Sequence, residues 1–266
     1  MGVTVARVSE PSAPAPAQPE RQGSARVVFE GNRDLTRDDL LEVMRTDDVD
    51  AGPYDPDVLE RDLLLIAAAY YDHGYVNVKV GEPIVVTAKD GTVDIRIPIS
   101  EGVRFRIGKL EIDERDANGA SVPPLGGIPL RERLRPRDGD WFSRKVLIED
   151  LSAIRRLYHD EGYGSVEADP ETELDPQHAT MDVTIPVHRG PLVTIDHVNV
   201  VGDAGIPVDR LRRAIRIADG SPYGETKLDE ARARVVALGV DVWVSTESNP
   251  STTSWTVTFE VQARHP

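Results

Sequence analysis

The sequence predicts an α+β protein made of three tandem units of order β-α-α-β-β, each a three-stranded sheet covered on one face by two helices. Two observations carry this prediction. The stretch YYDHGYVNVKV (Tyr70–Val80) returns as YHDEGYGSVEA (Tyr158–Ala168), and Gly74 and Gly162, Tyr75 and Tyr163, and Tyr54 and Phe142 are each 88 residues apart. The same offset relates TVDIRIPISEG (Thr92–Gly102) to TMDVTIPVHRG (Thr180–Gly190), and continues through Ile107, Leu110 and Ile112 to Ile195, Val198 and Val200. Three explanations compete: a catalytic motif, a ligand loop or a fold unit used twice. A match sustained through several elements is a duplicated fold unit.

A third, more diverged copy follows. VNVVGD (Val198–Asp203) resembles VVFEGN (Val27–Asn32), DGSPYGETKL resembles DAGPYDPDVL, and TVTFEV (Thr256–Val261) stands where DIRIPI stood. The expected units are residues 25–101, 102–189 and 190–266, with joints at Gly102 and Gly190. Ahead of them, residues 1–24 carry Pro11, Pro14, Pro16 and Pro19 among Ala, Ser and Gln, which reads as a disordered tail.

Within the first unit, Val27–Phe29 is a short strand ending at the Gly31-Asn32 turn. Thr36 with Asp39 forms a capping pair for a helix whose apolar face holds Leu40, Val43 and Met44. After Gly52-Pro53, Leu59, Leu63, Ile66 and Tyr70 are spaced as a second helix, repeated as Leu147, Leu151, Ile154 and Tyr158. Gly74 stops that helix, because a residue just past a helix C-terminus is commonly left-handed and glycine has no Cβ to clash there. Val76, Val78 and Val80 alternate with Asn77 and Lys79 as a half-buried strand, Asp90-Gly91 makes a hairpin turn, and Val93, Ile95, Ile97 and Ile99 form the return strand. The Tyr-x-x-x-Gly-Tyr motif is thus fold punctuation.

The copies differ in two places. From Tyr223 to Gly239 is 16 residues, against 20 from Tyr54 to Gly74, so the third unit's second helix is about one turn shorter. The second unit carries five extra residues in DERDANGASVPPLGGIP, between its first strand and first helix. Pro98 and Pro186 lie inside the return strands, which predicts a bulge or an unpaired donor at each.

The chain has 266 residues and a net charge of −15. Its acidity argues against nucleic acid and against an electrostatic grip on anionic lipid. It has no cysteine, which excludes disulfides, thiolate metal sites and a cysteine nucleophile. No apolar run approaches the ~20 residues of a spanning helix. No basic segment followed by an apolar one opens the chain, so an export signal has been removed or never existed. None of the six histidines has helical metal-ligand spacing. The acidic run Arg45–Gly52 lacks the glycine and terminal glutamate of a calcium loop, and neither a phosphate loop nor a Gly-x-Ser-x-Gly elbow occurs. No catalytic, cofactor or metal residues are expected, and the protein is read as a non-enzyme.

The residues Phe29–Asn32 (FEGN), Gly52-Pro53-Tyr54 with Leu59, Tyr70–Tyr75 and Glu101-Gly102, together with the EGVRFRIGKLEI joint (Glu101–Ile112), resemble tandem POTRA (polypeptide-transport-associated) domains of outer-membrane insertases of the BamA and TamA kind. The resemblance covers residues 25–266 and is strongest in the first two units. It implies a periplasmic arm at the outer membrane of a Gram-negative-type bacterium, preceding a C-terminal membrane β-barrel that this chain does not contain. The expectation is an excised periplasmic region, with a barrel-less relative as the other possibility. The implied partners are unfolded outer-membrane proteins and accessory assembly lipoproteins or periplasmic chaperones, bound by strand addition. The resemblance also points to the second strand of each unit, in the first unit Val76, Asn77, Val78, Lys79 and Val80, as the docking edge. Trp141, Trp243 and Trp255 are candidates for a tighter contact, with core packing as the competing reading. The rival to a docking arm is a passive spacer or scaffold of tandem modules.

Overall fold

The computed structural model describes residues 25–44, 55–89, 92–249 and 253–264. The proline-rich stretch 1–24, the acidic run Arg45–Gly52 with Pro53 and Tyr54, the Asp90-Gly91 turn and His265 lie outside them. The first repeat contains β1 (Ala25–Glu30), α1 (Arg37–Val43), α2 (Pro56–Asp72), β2 (Lys79–Val80), β3 (Ile84–Thr87) and β4 (Val93–Ser100). The second contains β5 (Arg106–Arg115), a 3-10 turn at Leu125–Gly127, α3 (Leu130–Arg133), α4 (Arg144–Asp160), β6 (Glu167–Ala168), β7 (Glu171–Asp175) and β8 (Thr180–His188). The third contains β9 (Thr194–Asp203), α5 (Val208–Ile215), α6 (Glu225–Val236), β10 (Val240–Asn249) and β11 (Ser254–Ala263).

The three sheets share one plan. The last strand of each repeat is central: β4, β8 and β11 pair in parallel with β1, β5 and β9, and antiparallel with the strands that precede them. Each sheet therefore has three strand positions, although the outer antiparallel position is filled by two pieces in the first two repeats, β2 with β3 and β6 with β7. Burial alternates along the central strands. Val93, Ile95, Ile97 and Ile99 are buried in β4, and Met181, Val183, Ile185 and Val187 in β8. Period-two alternation puts one face against helices and leaves the other to water.

Compact packing groups the chain into two bodies. One holds the residues up to Ala69 with Val78–Glu101, and the other holds Tyr70–Asn77 with Gly102 onward. In the first body Val27, Leu40, Leu59, Ile66, Ile95 and Ile97 are buried. Thr36 and Asp39 form a reciprocal capping box at the start of α1, as their spacing predicts. On α2 the expected ridge holds at Leu59, Ile66 and Tyr70, which are buried, and departs at one position. Leu63 is half-buried, whereas Asp62 beside it is fully buried. The equivalent Asp150 is also buried and shows the reason. Its carboxylate accepts the Arg135 N–H and Arg135 Nε, both at 2.6 Å, fixing the α3–α4 connection to α4. A buried carboxylate is tolerated when it is paired and hydrogen-bonded.

In the second body Leu147, Leu151, Ile154 and Tyr158 form the predicted ridge of α4, packed on Met181, Val183, Ile185 and Val187. Each such fully buried aliphatic side chain contributes about 1.5–3 kcal/mol. In the third repeat Leu228, Ala231 and Val235 are buried on α6, which has 12 residues against 17 in α4.

The five-residue insertion of the second repeat has a specific structural consequence. β5 continues to Arg115 and turns back, with Arg115 bridging Ser121. Its register places Glu114 opposite Val187, where the third repeat places Gly202 opposite Val261. The Glu114 carboxylate accepts from the Tyr158 hydroxyl and from Arg189 Nε at 2.7 Å. Arg189 also donates to the Pro123 carbonyl, so one buried ion pair ties helix, central strand and inserted loop together.

Candidate functional site

The Tyr-x-x-x-Gly-Tyr motif is a Schellman stop. Gly74 N–H donates to Tyr71 O at 3.2 Å and Tyr75 N–H to Tyr70 O at 3.0 Å. The second repeat matches it, with Gly162 N–H on His159 O at 3.0 Å and Tyr163 N–H on Tyr158 O at 2.9 Å. Both glycines have positive φ, 89° and 96°. The paired tyrosines meet edge to face, with centroids 5.7 Å apart for Tyr70–Tyr75 and 5.9 Å for Tyr158–Tyr163. This is the apolar contact that accompanies a Schellman stop, and it accounts for both tyrosines of the motif.

The same glycines accept hydrogen bonds from the segments that follow Gly102 and Gly190. Gly74 O accepts Phe105 N–H at 2.9 Å and Phe105 O accepts Phe142 N–H at 3.0 Å; in the next joint Gly162 O accepts Val193 N–H at 2.8 Å and Val193 O accepts Tyr223 N–H at 3.0 Å. Gly102 and Gly190, at the predicted joints, have φ of 76° and 66°. A Cβ there would lie 2.3 Å from Asn77 Oδ1 and 2.8 Å from Ser165 Oγ, respectively.

The edge strand begins later than its alternation predicts. Val76 and Asn77 lie in the turn after the helix stop, Val78 is buried, and only Lys79 and Val80 pair with β4, as β2. The stop hydrogen bonds hold the backbone through Tyr75 in helix-terminating geometry, and Asn77 sits against Gly102, so neither segment is extended for pairing.

Beyond Val80 the edge breaks, as expected from Pro98. Gly81 N–H donates to Pro98 O at 2.8 Å, so the backbone of Pro98 faces the edge strand and its missing N–H is missing from that side. Val80 pairs with Ile99 and Ile84 with Arg96, which leaves one extra residue on the edge, and Pro83 lies in the break. In the second repeat Ala168 pairs with Val187 and Glu171 with Thr184, and the gap holds Pro170 on the edge and Pro186 on the central strand. The third repeat carries Glu260 at the equivalent position, and β10 is unbroken for ten residues, with Trp243 opposite Glu260. Two prolines per break, and none in the intact strand, account for the difference.

The edges differ in chemistry. Alternation turns the N–H and C=O of Val80, Val85 and Thr87 outward from β4, since Gly81 and Ala88 donate inward to Pro98 O and Thr92 O. β3 is exposed along its whole length, and its Ile84, Val85 and Val86 are 56%, 37% and 55% exposed. Its counterpart β7 reads ETELD and the outer half of β10 reads STESN, both polar.

The tryptophans divide three ways. Trp255 packs against Tyr223 at 4.8 Å. Trp141 lies under the guanidinium groups of Arg104 and Arg106, 4.6 and 3.7 Å from its centroid. Trp243 is exposed on the solvent face of β10. Among the described residues no three His, Asp or Glu side chains converge as a metal site. His159 pairs with Glu225 at 2.6 Å and His178 with Asp175 at 2.6 Å.

The family profile described as "POTRA: Surface antigen variable number repeat" matches residues 24–102, 129–190 and 193–264. The chain is 25% identical over 250 residues to the outer membrane protein assembly factor BamA of Nitratidesulfovibrio vulgaris, covering 90% of this chain and 31% of that protein. It is 26% identical over 180 residues to BamA of Neisseria meningitidis, covering 67% of this chain and 22% of that protein. The chain thus spans about a third or less of these relatives. The crystal structure of Haemophilus influenzae BamA POTRA3-5 superposes with a TM-score of 0.72 at 21% identity, covering 90% of this chain and 96% of that one, and so shares its fold.

Proposed function

The chain belongs to the POTRA family, and on that premise we propose that it is the periplasmic docking arm of an outer-membrane β-barrel assembly or translocation protein. In this reading three domains, 25–101, 102–189 and 190–266, meet at Gly102 and Gly190 and precede a membrane barrel in the full-length protein. The arm binds unfolded outer-membrane proteins, and accessory lipoproteins or chaperones, by strand addition. The family and the printed names of the relatives support the setting.

One observation carries the docking role: the exposed apolar edge β3, continuing from Lys79 and Val80. A bare apolar edge is an aggregation hazard that proteins usually blunt, and here it is retained. The energetics suit transient capture. Each added hydrogen bond contributes about 0.5–1.5 kcal/mol, while ordering the incoming strand costs about 1–2 kcal/mol per residue. Burial of Ile84 and Val86 under the newcomer then decides whether it stays. Photocrosslinkers at Val80, Val85 and Thr87 should capture an unfolded barrel protein, and the same group at Glu111 on the open face of the second sheet should not. Equal labelling at all four positions would remove the edge assignment.

The spacer reading has support from contacts between α4 and α6. Asp160 at the end of α4 binds the first turn of α6, bracing the second repeat against the third. Bracing and docking are compatible, and crosslinking separates docking from spacing alone.

A further inference from the structure

Two arginines occupy the same place in successive repeats. Arg155 on α4 donates from Nη2 to Ala168 O at 2.6 Å, and Arg232 on α6 donates from Nε to Val242 O at 3.2 Å. Ala168 pairs with Val187 and Val242 with Val261, which are equivalent positions, and alternation turns both carbonyls away from the central strand. Each guanidinium therefore rests on an outward acceptor of the edge strand, in the angle between that strand and the second helix. In the first repeat the helix position 88 residues before Arg155 is Ala67, which has no donor, and the matching strand residue is Val80. One turn earlier on the same ridge, Leu64 is 70% exposed, where the second repeat has Ser152 and the third Asp229.

We propose that this helix position decides which repeat accepts a strand: Arg155 and Arg232 close the helix-side edge of the second and third repeats, and Ala67 leaves that of the first open to an extended apolar segment of another chain. The inference rests on the docking reading above and deepens it. Backbone pairing alone contributes little net free energy, so an incoming strand needs apolar burial as well. Part of that burial is available in the angle beside the helix. A guanidinium there takes the acceptor, fills the space and sets a charge that an apolar segment would have to desolvate. In the first repeat the same angle offers Leu64, Ala67 and Val80, and leads on to Val85, which is 37% exposed and pairs with Ile95 on the helix-covered face. The occupant that matches is an extended segment with alternating apolar side chains.

The chain has no cysteine, so a single introduced one directs a tether. A ten-residue peptide of alternating Val and Thr, ending in cysteine, is disulfide-linked to Lys79→Cys in the first repeat or to the equivalent Glu167→Cys in the second. Amide hydrogen exchange is then read at Val80 and Val85, or at Ala168 and Thr172. Exchange should slow at least tenfold in the first repeat and stay unchanged in the second. Arg155→Met, which keeps the aliphatic stem, should bring tenfold protection to the second repeat, and Ala67→Arg should abolish it in the first. Equal protection of both wild-type edges, none at the first, or protection indifferent to residues 67 and 155 would overturn the proposal. If the peptide behaves as expected while the crosslinkers above capture no barrel protein, the gate stands and the docking role falls.

Discussion

Asp160 caps a helix that belongs to the next repeat: its carboxylate accepts the Thr226 N–H at 2.8 Å and the Thr226 hydroxyl at 2.7 Å, in the first turn of α6. The N-cap residue of α6 is Gly224, which has no side chain to do this, whereas Ser143 caps α4 from within its own repeat. Asp160→Ala should lower the stability of the second body by about 1 kcal/mol in urea unfolding. Gly224→Ser should recover most of that loss, because Gly224 has an extended φ of −171° that serine adopts and a serine there can cap locally. A loss that Gly224→Ser leaves untouched would place the role of Asp160 outside capping.

The two helix-stopping glycines should respond unequally. A Cβ at Gly74 would meet Phe142 O at 2.8 Å, whereas one at Gly162 would meet the flexible end of Leu192 at 3.3 Å. Gly162→Ala should cost about 1–2 kcal/mol from its left-handed backbone alone. Gly74→Ala should cost more, since a backbone oxygen cannot rotate aside. Thermal unfolding of the two variants checks the order.

Proline at position 260 should break β10. Glu260→Pro removes the donor facing Trp243, as Pro98 and Pro186 do in the other repeats. Amide exchange should speed up around Trp243 while β9 pairing persists, at a cost of about 1 kcal/mol. An edge as protected as in the wild type would mean that Pro83 and Pro170 cause the natural breaks.

Glu114 and Arg189 are both about nine-tenths buried. Glu114→Ala should destabilise the second body by about 3–5 kcal/mol, because it strands a buried guanidinium. The double variant Glu114→Ala, Arg189→Met should be the more stable of the two. Calorimetry on the pair separates stranded charge from lost packing.

Alkaline pH should loosen the second body. Burial pushes the Tyr223 hydroxyl up to about 12 from its usual 10, with Glu225, Asp160 and Asp229 adding to the shift. Burial and the bond to Glu114 raise Tyr158 as well. A folded-state pKa above the unfolded one leaves stability intact below pH 10 and erodes it as pH rises through about 12. Tyr223→Phe should flatten part of that slope, leaving the part due to Tyr158.

Much of the fold was legible because it is written at short range. The α4 ridge of Leu147, Leu151, Ile154 and Tyr158, the Thr36–Asp39 capping box and the stops at Gly74 and Gly162 depend on residues a few positions apart, so periodicity and turn chemistry expose them. Pro98 and Pro186 announced irregular edges for the same reason. The candidate site was less legible. Alternation from Val76 to Val80 marked a strand, but the helix stop consumes its first half, and the exposed edge continues instead through Ile84–Thr87.

The sequence by itself determined the repeat, its element order and its family, since an 88-residue offset and local periodicity survive without knowledge of contacts. Tertiary structure decided which groups meet: that Asp160 caps a helix of the next repeat, that Glu114 holds Arg189 and Tyr158, that Asp150 is buried against Arg135, and that Arg155 and Arg232 rest on edge carbonyls where Ala67 has no counterpart. A residue's type says what it can donate or accept. The direction in which a neighbouring strand turns its backbone, and the element that arrives beside it, fix whether that capacity is used, and both are set by packing between residues far apart in the chain.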